Sequence, residues 1–469
     1  MNPDTAELTI LEAAGELTVP LERRATLPAR WLAELRADPQ RMLALRTSAS
    51  ALWRSRLLIW SSVIAAILAF GFGPVRGAFD PPGLTRGFGR LGDLLAAPAA
   101  RWDSSWYLVI AHYGYRPDLG SFTAPRTAFF PLYPLGLRGV SSLGFAPILA
   151  GVLVSLASLA FALYGIHRLT TLELARTRVA GSRAAETARL AVLLSAFAPM
   201  AFYLSAVYSE SLYLALSVGL FWSARHGRWA YVGVLGALAA ATRSTGLVLA
   251  LPALIIYLYG PREDRPADFL RGQAERLRPR YRVRADILWL ALLPAGVALY
   301  GVFLAIGGGD PLAPLHAQEV WGRHFAGPLT GVWDGTVAAF DGARQLFSMQ
   351  STHSYFPAAP GDPFVSAGHN VVLFAFLALA VPSLVGVARR LPAAYFAYVL
   401  AALALALSYP VSAQPLMSLP RFLLVLFPLT IWQADWLARH PRAQRPLLVS
   451  SAVLMIVFAS EFATWHWVA

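Results

Sequence analysis

Long apolar runs alternate with short polar connections along most of the chain. The runs at 57–73, 142–166, 190–203, 212–224, 229–241, 247–259, 287–306, 371–387, 393–409, 422–436 and 447–462 predict about eleven helical segments. They are continuous and lack the ten-residue alternation of a membrane β-barrel strand. A segment in lipid has to satisfy its own backbone polar groups, which the helix does. Four of the runs are short for a full crossing, so tilted, broken or paired helices are expected there. The pattern predicts an all-α polytopic membrane protein.

Composition sharpens this reading. The 469 residues are 57% hydrophobic and 14% charged, against about 25% charged in an ordinary soluble protein. Cysteine is absent, which excludes disulfides, thiolate catalysis and Cys-ligated metals. The net charge of +13 is carried by arginine alone, with no lysine. In a membrane chain such an excess orients the helices and meets anionic lipid, so membrane lipids are expected as partners and nucleic acid is not. All-arginine usage accompanies a GC-rich genome and points to a bacterial plasma membrane.

The first 50 residues are read as a cytoplasmic tail. They hold Asp4, Glu7, Glu12, Glu16 and Glu22 and have no apolar core of a signal peptide. Trp31, Leu32, Leu35, Met42, Leu43 and Leu45 fall loosely on one helical face, so the tail is either a surface-lying amphipathic helix or partly ordered chain. Residues 51–469 then form the membrane domain. Arginine clusters at 168–189, 225–228, 262–284, 389–390 and 439–445 occupy alternate connections. With a cytoplasmic N-terminus, all five fall inside, as the positive-inside rule requires. The opposite connections form the outer face, including two long loops at about 74–141 and 307–367. Loops of that length carry function or structure of their own, and their prolines argue for ordered chain.

Polar residues that orientation does not explain collect on this outer face. In Arg101-Trp-Asp-Ser-Ser-Trp-Tyr107 one carboxylate, Asp103, stands between Trp102 and Trp106. Asp103 is a candidate general base or acid, since apolar surroundings tune a carboxyl and carboxylates near membrane depth are functional candidates; as a favoured helix N-cap it has an alternative reading. The two tryptophans suit a sugar ring, or they form an interfacial belt. His112 lies a few turns on, and Arg126, just before Phe129-Phe-Pro-Leu-Tyr-Pro134, is a candidate phosphate contact.

Further along, Glu210 begins an apolar segment and Arg243 interrupts another. They pair with each other, or Glu210 orients a substrate hydroxyl while Arg243 forks onto a phosphate. His316 and Gln318 are candidates for a polar pocket in the second loop. Arg421, where the chain re-enters a helix, is a second phosphate candidate or an interfacial anchor. There is no zinc-type spacing and no paired carboxylate motif for Mg²⁺ or Mn²⁺, so neither metal nor cofactor is expected. No nucleotide-binding loop is present.

Taken together, Arg101-Trp-Asp-Ser, Ile110-Ala-His-Tyr-Gly-Tyr115, Ala128-Phe-Phe-Pro-Leu-Tyr-Pro134, Tyr208-Ser-Glu-Ser-Leu-Tyr213, Thr242-Arg-Ser-Thr-Gly246, His316-Ala-Gln318 and Pro420-Arg-Phe422 resemble the PIG-V family of GPI mannosyltransferases and its prokaryotic relatives, within the GT-C superfamily. The resemblance implies a GT-C fold and an inverting transfer of a hexose, with mannose favoured. The donor would be a polyprenyl-phosphate sugar. The acceptor would be a glycolipid or envelope glycan at the extracytoplasmic face. Asp103 would be the base, and Glu210, the nearest match in type to the superfamily's second acidic residue, would be catalytic with it, with Arg243 or Arg421 meeting the leaving phosphate. Superfamily members often place a second acidic residue beside the first, whereas here Ser104 follows Asp103. Two other readings remain: a transporter or flippase of a lipid-linked saccharide, which would need mid-membrane polar residues and a repeat, and a non-catalytic scaffold.

Overall fold

The structure is a computed structural model describing residues 38–73, 79–81, 83–115, 126–176, 181–269, 278–307, 309–350 and 362–468. The regular elements of the described residues are all helices, with one isolated bridge and no extended strand. In chain order the helices are α1 (Pro39–Phe70), α2 (Gly89–Ala96), α3 (Ser104–Tyr113), α4 (Leu132–Ser141), α5 (Pro147–Arg176), α6 (Gly181–Ala196), α7 (Glu210–Arg225), α8 (Trp229–Ala240), α9 (Ala250–Tyr259) and α10 (Ala295–Ile306). They continue with α11 (Ala313–His316), α12 (Pro328–Ser348), α13 (Pro363–Arg390), α14 (Ala393–Leu407), α15 (Leu419–Leu424), α16 (Phe427–Arg439) and α17 (Pro441–Ala463).

By length and composition α1, α5, α13 and α17 can cross a membrane. The turn Ala285–Leu292 and α10, bent by 44° to each other, add a fifth crossing if taken as one broken span. All eleven apolar runs are helical in whole or part, but several are shorter or more broken than their hydrophobicity suggests. The 190–203 run ends at Ala196 and resumes as a 3₁₀ turn at Ala201–Leu204. The 287–306 run breaks at Pro294, and 422–436 divides between α15 and α16. Pro199, Pro294 and Pro428 lie at these breaks; proline lacks a backbone N–H and disfavours helix in the residue before it.

Residues 1–46 and 47–469 form two compact units. Of the first, only residues 38–46 are described; Asp38 starts α1 by accepting hydrogen bonds from the Gln40 and Arg41 amides at 2.9 and 3.1 Å. The expected tail boundary at residue 50 therefore falls inside a continuous helix. Met42, Leu43 and Leu45 lie on α1, while Trp31, Leu32 and Leu35 lie outside the described residues.

Both long connections carry helices. The first holds α2, α3 and α4. The second holds α11 and the 21-residue α12. Gly331, Gly335, Ala338, Ala339, Gly342 and Gln345 form the buried stripe of α12 at helical spacing. Its small residues let neighbouring backbone come close, at Leu407 and at Ala367.

Several arginines of the expected clusters meet acids. Arg225 pairs with Glu173 at 2.7 Å and Glu263 at 2.9 Å. Asp435 is met by Arg439 at 3.0 Å and by Arg183 and Arg390 at 3.9 Å.

Candidate functional site

Two helix starts build the other charged centre. Before α3 the backbone turns sharply at Trp102, which adopts φ +52°. This left-handed conformation costs a non-glycine residue about 1–2 kcal/mol. Packing holds it: the Trp102 indole lies 5.7 Å from Phe79, 5.5 Å from Trp465 and 5.3 Å from Trp467, ring centre to ring centre. Arg101 donates from Nε to the Ala463 carbonyl at 3.0 Å and lies over Trp465. Asp103 thus arrives at the N-cap position of α3, yet its carboxylate caps no amide.

The second start is α7. Val207 N–H donates to the Ala99 carbonyl at 2.9 Å, and the Tyr208 hydroxyl donates to the Arg101 carbonyl at 3.0 Å. The Ser209 hydroxyl shares a 2.9 Å hydrogen bond with Tyr107. These contacts place Glu210, the first residue of α7, beside the α3 start.

Arginine joins the two acids. Arg421 donates from Nη1 to Asp103 Oδ2 at 2.8 Å, and from Nε and Nη2 to Glu210 Oε1 at 3.1 and 2.9 Å. Its guanidinium lies over the Tyr203 and Tyr208 rings at 4.9 and 4.8 Å. Arg243 Nη1 stands 3.0 Å from the same Glu210 oxygen, close enough to pair but not aligned as a hydrogen bond. Arg243 is presented by extended backbone between α8 and the turn Ser244–Leu249. That turn packs against the end of α8 through Gly246, where a Cβ would collide with the Ala239 backbone. The acids differ in access: the Asp103 side chain is 17% exposed and that of Glu210 0%. Asp103 is therefore the more accessible of the two acids, and Glu210 is the buried counter-charge for two arginines.

Of the residues singled out in the sequence, Asp103, Glu210, Arg243 and Arg421 come together. The pairing of Glu210 with Arg243 is present, and Arg421 completes it. The others have different surroundings. Trp106 is buried, stacked on Phe129 at 5.8 Å and edge-on to Phe79 at 6.2 Å, so its ring faces pack the loop. His112 is exposed in the last turn of α3 against Tyr113. Arg126 is fully buried and donates to the Gly114 carbonyl at 2.8 Å, bracing the first loop. His316 is exposed and pairs with Asp310. Gln318 lies partly buried, donating weakly to the Pro314 carbonyl at 3.5 Å. Among the described residues no group of three or more His, Asp or Glu could hold a metal ion.

Arg323 is not legible in the sequence as part of this centre. A bridge between Arg323 and Val411 joins the second loop to the 408–418 turn, and Ala326 N–H adds a bond to the Ser408 carbonyl at 2.9 Å. Arg323 Nη2 donates to the Met417 carbonyl at 3.3 Å, in the turn that leads into the helix carrying Arg421. In sequence, Gly322-Arg-His324 looks like any solvated loop.

Fold and site together define a polytopic helical membrane protein with a buried acid–arginine centre assembled from distant helix ends. Residues 90–256 match the family described as Mannosyltransferase (PIG-V), and through this segment the chain is PIG-V-like. The "GPI alpha-1,6-mannosyltransferase 2" of Rattus norvegicus is 33% identical over 183 residues, and that of Homo sapiens 32% over 184. In both cases the match covers 36% of this chain and 34% of the relative, so the chain spans about a third of the length of these relatives. No solved structure matches. The matched segment contains Asp103, Glu210 and Arg243; Arg323 and Arg421 lie outside it.

Proposed function

We propose that the chain is an inverting membrane glycosyltransferase that moves a hexose, mannose by its likeness to the PIG-V family, from a polyprenyl-phosphate donor to a glycolipid or envelope-glycan acceptor. The chain crosses a bacterial plasma membrane about eleven times in a GT-C arrangement, with the acid–arginine centre at the extracytoplasmic face. One observation carries the reading: within and beside the family segment, an accessible carboxylate and a buried one meet the same arginine.

Asp103 accepts the proton of the acceptor hydroxyl as its oxygen attacks the anomeric carbon. The bond between that carbon and the phosphate oxygen breaks, and polyprenyl phosphate leaves with the electron pair. A single displacement inverts the configuration. Arg421 balances both the resting Asp103 and the departing phosphate, a placement of charge where charge develops. Glu210 keeps Arg421 and Arg243 in position. The resting contact between Arg421 and Asp103 has to loosen as the acceptor enters.

Transfer of radiolabelled mannose from polyprenyl-phosphate mannose to a host lipid extract tests this, using purified wild type and Asp103→Asn. Labelled product from wild type alone supports the reaction and the role of Asp103. Equal product from both removes Asp103 as base. Failure of wild type to bind the donor counts against the reading as a whole.

A further inference from the structure

Among the described residues the charged centre holds more positive than negative charge, and one cation in it has no acid to answer. Arg421 is engaged by Asp103 and Glu210, and Arg243 by Glu210. Arg323 reaches the same place from the second loop. Its Nη2 is spent on a neutral carbonyl, that of Met417, at 3.3 Å. Among the described residues no carboxylate pairs with it. Burial, the positive charge of Arg421 and that of Arg243 push the Arg323 guanidinium down to about 10, with Asp103 opposing; it remains charged at neutral pH and shares the electrostatic surroundings of all three groups. A guanidinium held this way offers most of its donors to an anion, and its planar fork matches phosphate oxygens. The backbone around it is fixed, because the bridge to Val411 and the Ala326–Ser408 bond tie the loop to the turn that precedes Arg421.

We infer that Arg323 is the cation that receives the donor's phosphate, taking a non-bridging oxygen of the lipid-linked phosphate, while Arg243 and Arg421 stay on Glu210 and Arg421 meets the charge that develops on the leaving oxygen. This rests on the lipid-phosphate donor reading above and refines it. The phosphate group is then recognised by the second outer loop, and the acceptor by the first, through Asp103.

The test is binding of a short-chain polyprenyl phosphate to the full-length protein in nanodiscs, with the uncharged polyprenol and inorganic phosphate as controls. Wild type should bind polyprenyl phosphate at least about tenfold more tightly than polyprenol. Arg323→Gln should lose about tenfold on polyprenyl phosphate and nothing on polyprenol. Arg323→Lys, which keeps the charge without the fork, should recover part of that loss and confirms that the loop still folds. In transfer assays Arg323→Gln should raise KM for the donor more than it lowers kcat. Unchanged phosphate binding in Arg323→Gln, or equal losses in the Gln and Lys variants, would overturn the assignment of Arg323 and leave the donor reading intact. Competition by inorganic phosphate as strong as that by polyprenyl phosphate would overturn the lipid-linked part. A wild type that does not distinguish polyprenyl phosphate from polyprenol would overturn the donor reading itself.

Discussion

Replacing Glu210 by Gln removes one negative charge from beneath two arginines while keeping the side chain's size. The carboxylate is fully buried and accepts from Arg421 Nε at 3.1 Å and Nη2 at 2.9 Å, with Arg243 Nη1 at 3.0 Å. Removing one partner of a buried ion pair costs about 3–5 kcal/mol, because the charge left behind is neither solvated nor neutralised. The Gln amide oxygen can keep one of the hydrogen bonds, worth about 1 kcal/mol. A net loss of about 2–4 kcal/mol follows, about two orders of magnitude in the ratio of folded to unfolded protein. Reversible unfolding in mixed micelles measures it. Arg243→Gln in the same background should cost less than it does alone, with a coupling of about 0.5–3 kcal/mol. A loss below about 1 kcal/mol for Glu210→Gln, or strict additivity with Arg243→Gln, would refute the view that Glu210 is the common counter-charge.

Asp103→Asn has the opposite profile: transfer should fall by about 10²–10⁴-fold, the range of a lost general base, while unfolding changes by less than for Glu210→Gln, since Asp103 gives up one contact at a partly exposed site; an unchanged rate contradicts its role. Gly246→Ala should destabilise by about 1–3 kcal/mol through overpacking against Ala239; a neutral melting curve would show that the turn has room. In the second loop the Leu312 amide, and then the His316 ring, hold the Asp310 carboxyl below its usual range. This depressed value means the contact is present above the ordinary carboxylate value of about 3.9 and is lost as pH falls through the folded value. A carbon-13 titration of Asp310 should have its midpoint below about 3.9; one above it contradicts the contact.

Charged residues inside apolar sequence are conspicuous, which is why Asp103, Glu210, Arg243 and Arg421 are legible from the chain's pattern alone. Their partnership is less so. Arg421 reads equally well as an interfacial anchor, and only folding brings it to Asp103 across 318 residues. Trp106 and Arg126 read as ligand contacts because aromatics and arginine serve binding and packing alike; what the sequence does not show is the packing of Trp106 on Phe79 and Phe129 and the bond of Arg126 to the Gly114 carbonyl. The helix α12 escapes a reading by hydropathy because its buried stripe is glycine and alanine, which a search for large apolar residues passes over. Arg323 leaves no trace in sequence, because its meaning lies in the bridge to Val411.

The long separation between Asp103 and Arg421 also sets an order in time. At about 5–20 residues per second of synthesis, the 318 residues between them take roughly 15–60 s to emerge. Only α7 and α8 lie between Glu210 and Arg243 along the chain, so this inner pair can form as those helices insert. Asp103 has to wait, unanswered, until the membrane already holds most of the bundle. The half-made protein therefore carries that acid without its arginine, and Asp103 is answered only when nearly the last helices arrive. A nascent chain arrested before Arg421 would expose that acid to water or to a chaperone, and would be a distinct substrate for quality control.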